Sequence, residues 1–237
     1  MNAKHFYTLV SNWLQTLMKK DFDIEDMLNR IAKLMVQYPK AAMFQLYDEG
    51  YTSMFQQLLS CIISIRTLDE VSIPVSQKLF AHARTPEQLL KLSPKELEDI
   101  LHGSSYNGQK AYTMLNIAQT IVQQYNGELP ADYDALIALK GVGPKCANLV
   151  LGIAAKKPAI SVDSHVHRVV NRWGLIKTTQ PEKTVLALEK QVPQHRWIDI
   201  NRLLMPFGKF HCTHHLPKCT TCPVLNYCRQ VGVERYS

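Results

Sequence analysis

Apolar residues recur at intervals of three and four along almost the whole chain, and scarcely anywhere at intervals of two. Met54, Leu58, Leu59, Ile62 and Ile63 keep this rhythm, as do Met114, Leu115, Ala118, Ile121 and Val122. A period near 3.6 lines one face of a helix, whereas a half-buried strand needs strict alternation. Only PAISV, 158–162, is strand-like, and it is short. The pattern predicts an all-α protein of about ten helices with short connections.

Proline, glycine and asparagine mark the joints: Tyr38-Pro39, Thr85-Pro86, Ser93-Pro94, Asn126-Gly127, Leu129-Pro130 and Gly174. Two of these carry full helix-start signals. In TPEQLL, Thr85 caps, Pro86 takes the first helical position and Gln88 completes a capping box. In SPKELEDIL, Ser93, Pro94 and Glu96 repeat the arrangement.

The segment LPADYDALIALKGVGPKCANLVLGIAA, 129–155, carries the most chemistry. Ala135, Leu136 and Leu139 give a first helix its apolar face, with Asp132 and Asp134 near its N-terminus, where negative charge is favoured. Gly141 and Gly143 allow a sharp turn with positive φ around Val142, and Pro144 opens a second helix continued inward by Leu149, Val150 and Ile153. The result is a helix–hairpin–helix. Its backbone N–H groups suit a phosphate oxygen and read no bases. Lys145 falls in the first turn of the second helix, facing the positive end of its dipole. With partial burial such an amine can serve as a nucleophile; the alternative is a surface lysine that contacts phosphate. Asp163, in SVDSHVHRVVNRWG, reads as the N-cap of a further helix with a carboxylate oxygen to spare.

Charge points the same way. The chain of 237 residues has a formal charge of +7, and residues 161–237 hold 11 Lys and Arg against 5 Asp and Glu. Clustered cations gain affinity for a polyanion by releasing its counterions. No apolar run approaches the ~20 residues that span a bilayer, and residues 1–20 show neither a leader's apolar stretch nor the arginine richness of a transit peptide. A cytoplasmic protein is expected, in which disulfides are not. The six cysteines therefore point to metal. Four fall in CTHHLPKCTTCPVLNYC, 212–228, with spacing C-x6-C-x2-C-x5-C. Zinc and an iron–sulfur cluster both accept four thiolates. Cys61 lies in an apolar run and reads as a buried core residue.

LKGVGPKCANL, VDSHVHRVVNR and the cysteine tail occur in this order in endonuclease III, and the chain resembles that family from about Met54 to Cys228. The resemblance implies two helical lobes with DNA bound in the cleft between them. One, residues 46–157, would be a six-helix bundle holding the hairpin; the other, 1–45 plus 158–237, would carry a [4Fe–4S] cluster on Cys212, Cys219, Cys222 and Cys228. It implies a base excision repair enzyme, a DNA glycosylase and AP lyase removing oxidised pyrimidines from duplex DNA. The protein would be a monomer acting in the cytoplasm, on the nucleoid. Lys145 matches the family nucleophile that forms a Schiff base at C1′ before β-elimination, and Asp163 the family carboxylate. Arg66 stands where the family often has a Gln that fills the gap left by the flipped base, and Tyr106 where a Leu wedge is common. Two other readings compete. An adenine-specific mismatch glycosylase shares hairpin and cluster but lacks the lysine and usually has a long C-terminal domain, whereas this chain ends nine residues after Cys228. A non-catalytic DNA-binding module with a tail metal site leaves the pairing of Lys145 with Asp163 without purpose.

Overall fold

The computed structural model describes residues 19–237, so the reading of the N-terminal stretch falls, over 1–18, outside the described residues. Among the described residues there are twelve α-helices and no strand. They are α1 (Ile24–Met35), α2 (Ala42–Asp48), α3 (Met54–Ser64), α4 (Asp69–His82), α5 (Pro86–Leu89) and α6 (Pro94–Ile100). After these come α7 (Asn107–Tyr125), α8 (Tyr133–Ala138), α9 (Pro144–Ile153), α10 (Ser164–Trp173), α11 (Pro181–Glu189) and α12 (Trp197–Phe210), the last entered through a 3₁₀ turn, Gln194–Arg196. The chain forms two compact units: residues 40–161, with α2 to α9, and residues 19–39 with 162–237, carrying the rest.

In the first unit α3 is the central helix. Every residue from Phe55 to Ile63 is buried, because α2, α4, α7 and α9 all pack around it. A helix so enclosed must be apolar all round, and FQQLLSCII nearly is. Its Gln57 donates to the Tyr51 carbonyl at 2.8 Å, and a capping box between Ser53 and Gln56 starts it. The box at Ser93 and Glu96 forms as the spacing predicts. At α5 only half of one forms. Thr85 accepts from the Gln88 N–H, but the Gln88 side chain takes the Arg84 N–H at 2.8 Å, one residue early.

In the second unit α12 packs against both α1 and α10. Val166, Val169, Val170, Trp173, Leu204 and Phe207 fill the space between. Beyond α12 the chain forms no further helix. Its tail is fastened to other elements by the backbone: Arg229 and Val231 N–H donate to the carbonyls of Trp173 and Arg172. These acceptors belong to the last turn of α10, whose carbonyls have no partner within the helix.

Two expectations fail. PAISV forms no strand: residues 159–162 run buried without a partner strand, and the Ile160 carbonyl accepts instead from the Asn148 side chain at 2.8 Å. Against the expectation of no disulfide, Cys61 and Cys146 form one, with Cα atoms 5.9 Å apart. Both are buried. The packing of α9 on α3 sets them face to face, within the usual span for such a bond.

Candidate functional site

The hairpin is built as its sequence dictates. Asp132 caps α8 by accepting from the Ala135 N–H at 2.9 Å, and Leu136 and Leu139 point into the core. Gly141 has φ +93°, and a Cβ there would lie 2.7 Å from the Thr113 side chain, so the turn presses against α7. Gly143 does not need its freedom: its φ of −103° suits any residue. The Val142 N–H donates to the Leu139 carbonyl and its side chain is buried. Val142 therefore anchors the turn, and the donors left for a phosphate are Gly143, Lys145 and Cys146 at the start of α9.

Lys145 is exposed, so the partial burial that would favour a nucleophilic amine is not seen. Cys146 and Ala147 take the inward face of α9 and leave Lys145 on the outer one. Its carbonyl accepts from the Ser161 hydroxyl at 3.2 Å. Asp163 caps α10, and both bonds, from the His165 and Val166 N–H groups at 2.9 and 2.8 Å, fall on Oδ1. Lys145 and Asp163 belong to different units.

Arg66 and Tyr106 stand together in the first unit. Both are exposed, and Arg66 Nη1 lies 3.3 Å from the Tyr106 hydroxyl. The guanidinium carbon is 5.8 Å from the ring centroid. Beneath them is a residue that sequence reasoning missed. Lys110 is only 5% exposed, and burial pushes its ammonium down to about 8. Two carbonyls and a hydroxyl accept from it, one for each N–H that an ammonium has to give. One signal could have found it: Lys110 shares a helix face with Met114, Ile117, Ala118 and Ile121, all buried.

Cys212, Cys219, Cys222 and Cys228 line one small cavity, floored by Trp173 and Phe207. No three His, Cys, Asp or Glu among the described residues gather closely enough to hold a single metal ion. Burial pushes Cys222 up to about 12 and Cys228 up to about 11, and raises Cys219. Bare, these thiols stay protonated; a bound cation would be needed to ionise them. Arg172 holds the loop between the first two cysteines, donating to the Thr213 and His214 carbonyls at 2.5 and 2.6 Å, with Nη1 3.6 Å from Cys212 Sγ. Arg168 donates to the carbonyls of Gly208 and Cys212. His214 and His215 are exposed and pack edge to face with each other.

Comparison with known proteins fits this arrangement. The HhH-GPD superfamily of base excision DNA repair proteins matches residues 59–194. Endonuclease III of Thermotoga maritima is 41% identical over 177 residues, which is 75% of this chain and 83% of that protein. Endonuclease III of Bacillus subtilis is 32% identical over 184 residues, 76% of this chain and 83% of that one. A solved trapped endonuclease III–DNA covalent intermediate, an estranged-adenine complex, superposes with a TM-score of 0.77 at 30% identity, covering 87% of this chain and 94% of that one.

Proposed function

The chain belongs to the endonuclease III family of the HhH-GPD superfamily, and from that membership we propose how its own residues carry the chemistry. It is a base excision repair DNA glycosylase and AP lyase. Our reading is that it acts as a monomer on duplex DNA holding an oxidised pyrimidine or an abasic site. The damaged nucleotide leaves the stack, because its C1′ is out of reach inside it. The Lys145 amine attacks C1′, the base departs, and the sugar opens to a Schiff base on Nζ. Loss of a C2′ proton then expels the 3′ phosphate. The assigned role of Asp163 is to stabilise positive charge on the sugar and assist proton transfers, through the oxygen that capping leaves over.

The observation that carries this reading is the position of Lys145: an exposed amine in the first turn of α9, beside the backbone N–H groups that open that helix. Borohydride trapping with abasic-site DNA tests it. Wild type should give a covalent adduct and Lys145→Ala none; an undiminished adduct in that variant rules the nucleophile out.

The four cysteines fit a [4Fe–4S] cluster by number, thiol chemistry and their shared cavity. When bound, the cluster would supply the link that orders the tail, while the reaction steps stay with Lys145 and Asp163. Purified protein should be brown, with a broad band near ~400 nm. Colourless protein with stoichiometric zinc would refute this assignment.

A further inference from the structure

The turn that follows α3 closes on one buried ammonium, and the turn that precedes α7 is bonded to that turn in its place. Lys110 Nζ donates to the carbonyls of Ile63 and Ile65 at 2.7 and 3.0 Å, and to Thr67 Oγ1 at 3.0 Å. Its backbone N–H donates to the Tyr106 carbonyl at 3.0 Å. Thr67 Oγ1 also accepts from the Ser105 N–H at 3.1 Å, and the Ser105 hydroxyl donates to the Arg66 carbonyl at 2.7 Å. At the tips stand Arg66 and Tyr106, with φ of +54° and +58°. Side chains other than glycine rarely hold that conformation unless their surroundings enforce it.

Core packing alone does not account for this lysine. Its position continues the apolar face of α7, where an aliphatic side chain would bury without desolvating a charge. An ammonium there does something an aliphatic group cannot: it satisfies carbonyls at the C-terminal end of α3, the negative end of that helix, and fixes the turn after it.

We propose that Lys110 is a positioning residue for base extrusion: without touching DNA, it holds Arg66 and Tyr106 as a rigid pair against the duplex. This rests on the glycosylase reading. A pair that must displace a stacked base gains from being fixed beforehand, since about 1 Å of misplacement can cost ~100-fold in rate.

The test is Lys110→Met, which keeps length and apolar bulk and removes the donors. We expect turnover on a duplex with a damaged pyrimidine to fall about 30-fold in kcat, with KM within about threefold. Borohydride trapping on a single-stranded abasic oligonucleotide, where no stacked pair has to open, should stay within about threefold of wild type. In a cycle with the R66A/Y106A variant, adding Lys110→Met should cost nothing further, because both changes disable one device. Equal losses on duplex and single strand, or additive losses in the cycle, would overturn the proposal. Should Lys110→Met not fold, Ser105→Ala removes the clamp at its exposed end and carries the same comparisons. Wild-type protein that traps no abasic DNA would sink the glycosylase reading itself, a result separate from any variant.

Discussion

His165 sits in the first turn of α10, two residues after the Asp163 cap. Its Nδ1 lies 3.2 Å from Arg168 Nη2, a geometry in which the ring accepts and so must be neutral. Burial holds its pKa below 6.5; Asp163 and a bond to the Gly208 backbone pull it up, while Arg168 and Lys209 press it further down. The folded ring then binds fewer protons than the unfolded one, so its contribution to stability is present above pH ~6.5 and lost as pH falls below it. Melting temperature should drop between about pH 7 and 5.5, and His165→Gln should make the drop shallower. An unchanged slope in the variant would show that the ring does not titrate with folding. At this scale the sequence was most informative where chemistry has a fixed spacing. Asp163 is the cap its context predicted. Lys110 was hidden because a lysine in a helix ordinarily points to water; its place on the apolar face of α7 hinted otherwise, and its three distant acceptors explain why it stays buried.

The pairing of α10 with α12 depends on a residue with no side chain. A Cβ on Gly208 would lie 2.8 Å from that of His165 and 3.3 Å from Arg168 Nη2. The close approach also lets Arg168 reach the Gly208 carbonyl at 2.7 Å. Gly208→Ala should therefore destabilise the protein by about 1–3 kcal/mol through overpacking, despite alanine's better helix propensity. A denaturant midpoint measures it; a stabilised variant would mean the helices part without cost. Helix starts were legible because a cap is local: the Ser93–Glu96 box follows from four consecutive residues. Which helices pack together was not, since Gly208 reads from sequence as a weak point in a helix and not as a contact. PAISV misled for a related reason. Alternation over five residues says nothing about whether a partner strand exists, and here none does among the described residues.

Across the whole molecule, the cysteines divide by a rule that only the fold reveals. Cys212 to Cys228 carry a recognisable spacing, whereas Cys61 and Cys146 lie 85 residues apart and share no motif. Their pairing follows from α9 lying against α3. A closure of that length restrains the unfolded chain by ~4.5 kcal/mol in the loop-entropy picture. Reductant should lower the melting temperature of wild type, and the Cys61→Ser/Cys146→Ser double variant should already melt low and ignore reductant. Equal melting of wild type with and without reductant would refute the contribution. The bond has a topological consequence as well. It fastens α9 to the central helix α3 from either end of a long stretch of chain. A protease that cuts once between residues 62 and 145 would leave two pieces still tethered. On a denaturing gel the nicked protein would run as a single band until the thiols were reduced, and then separate into two.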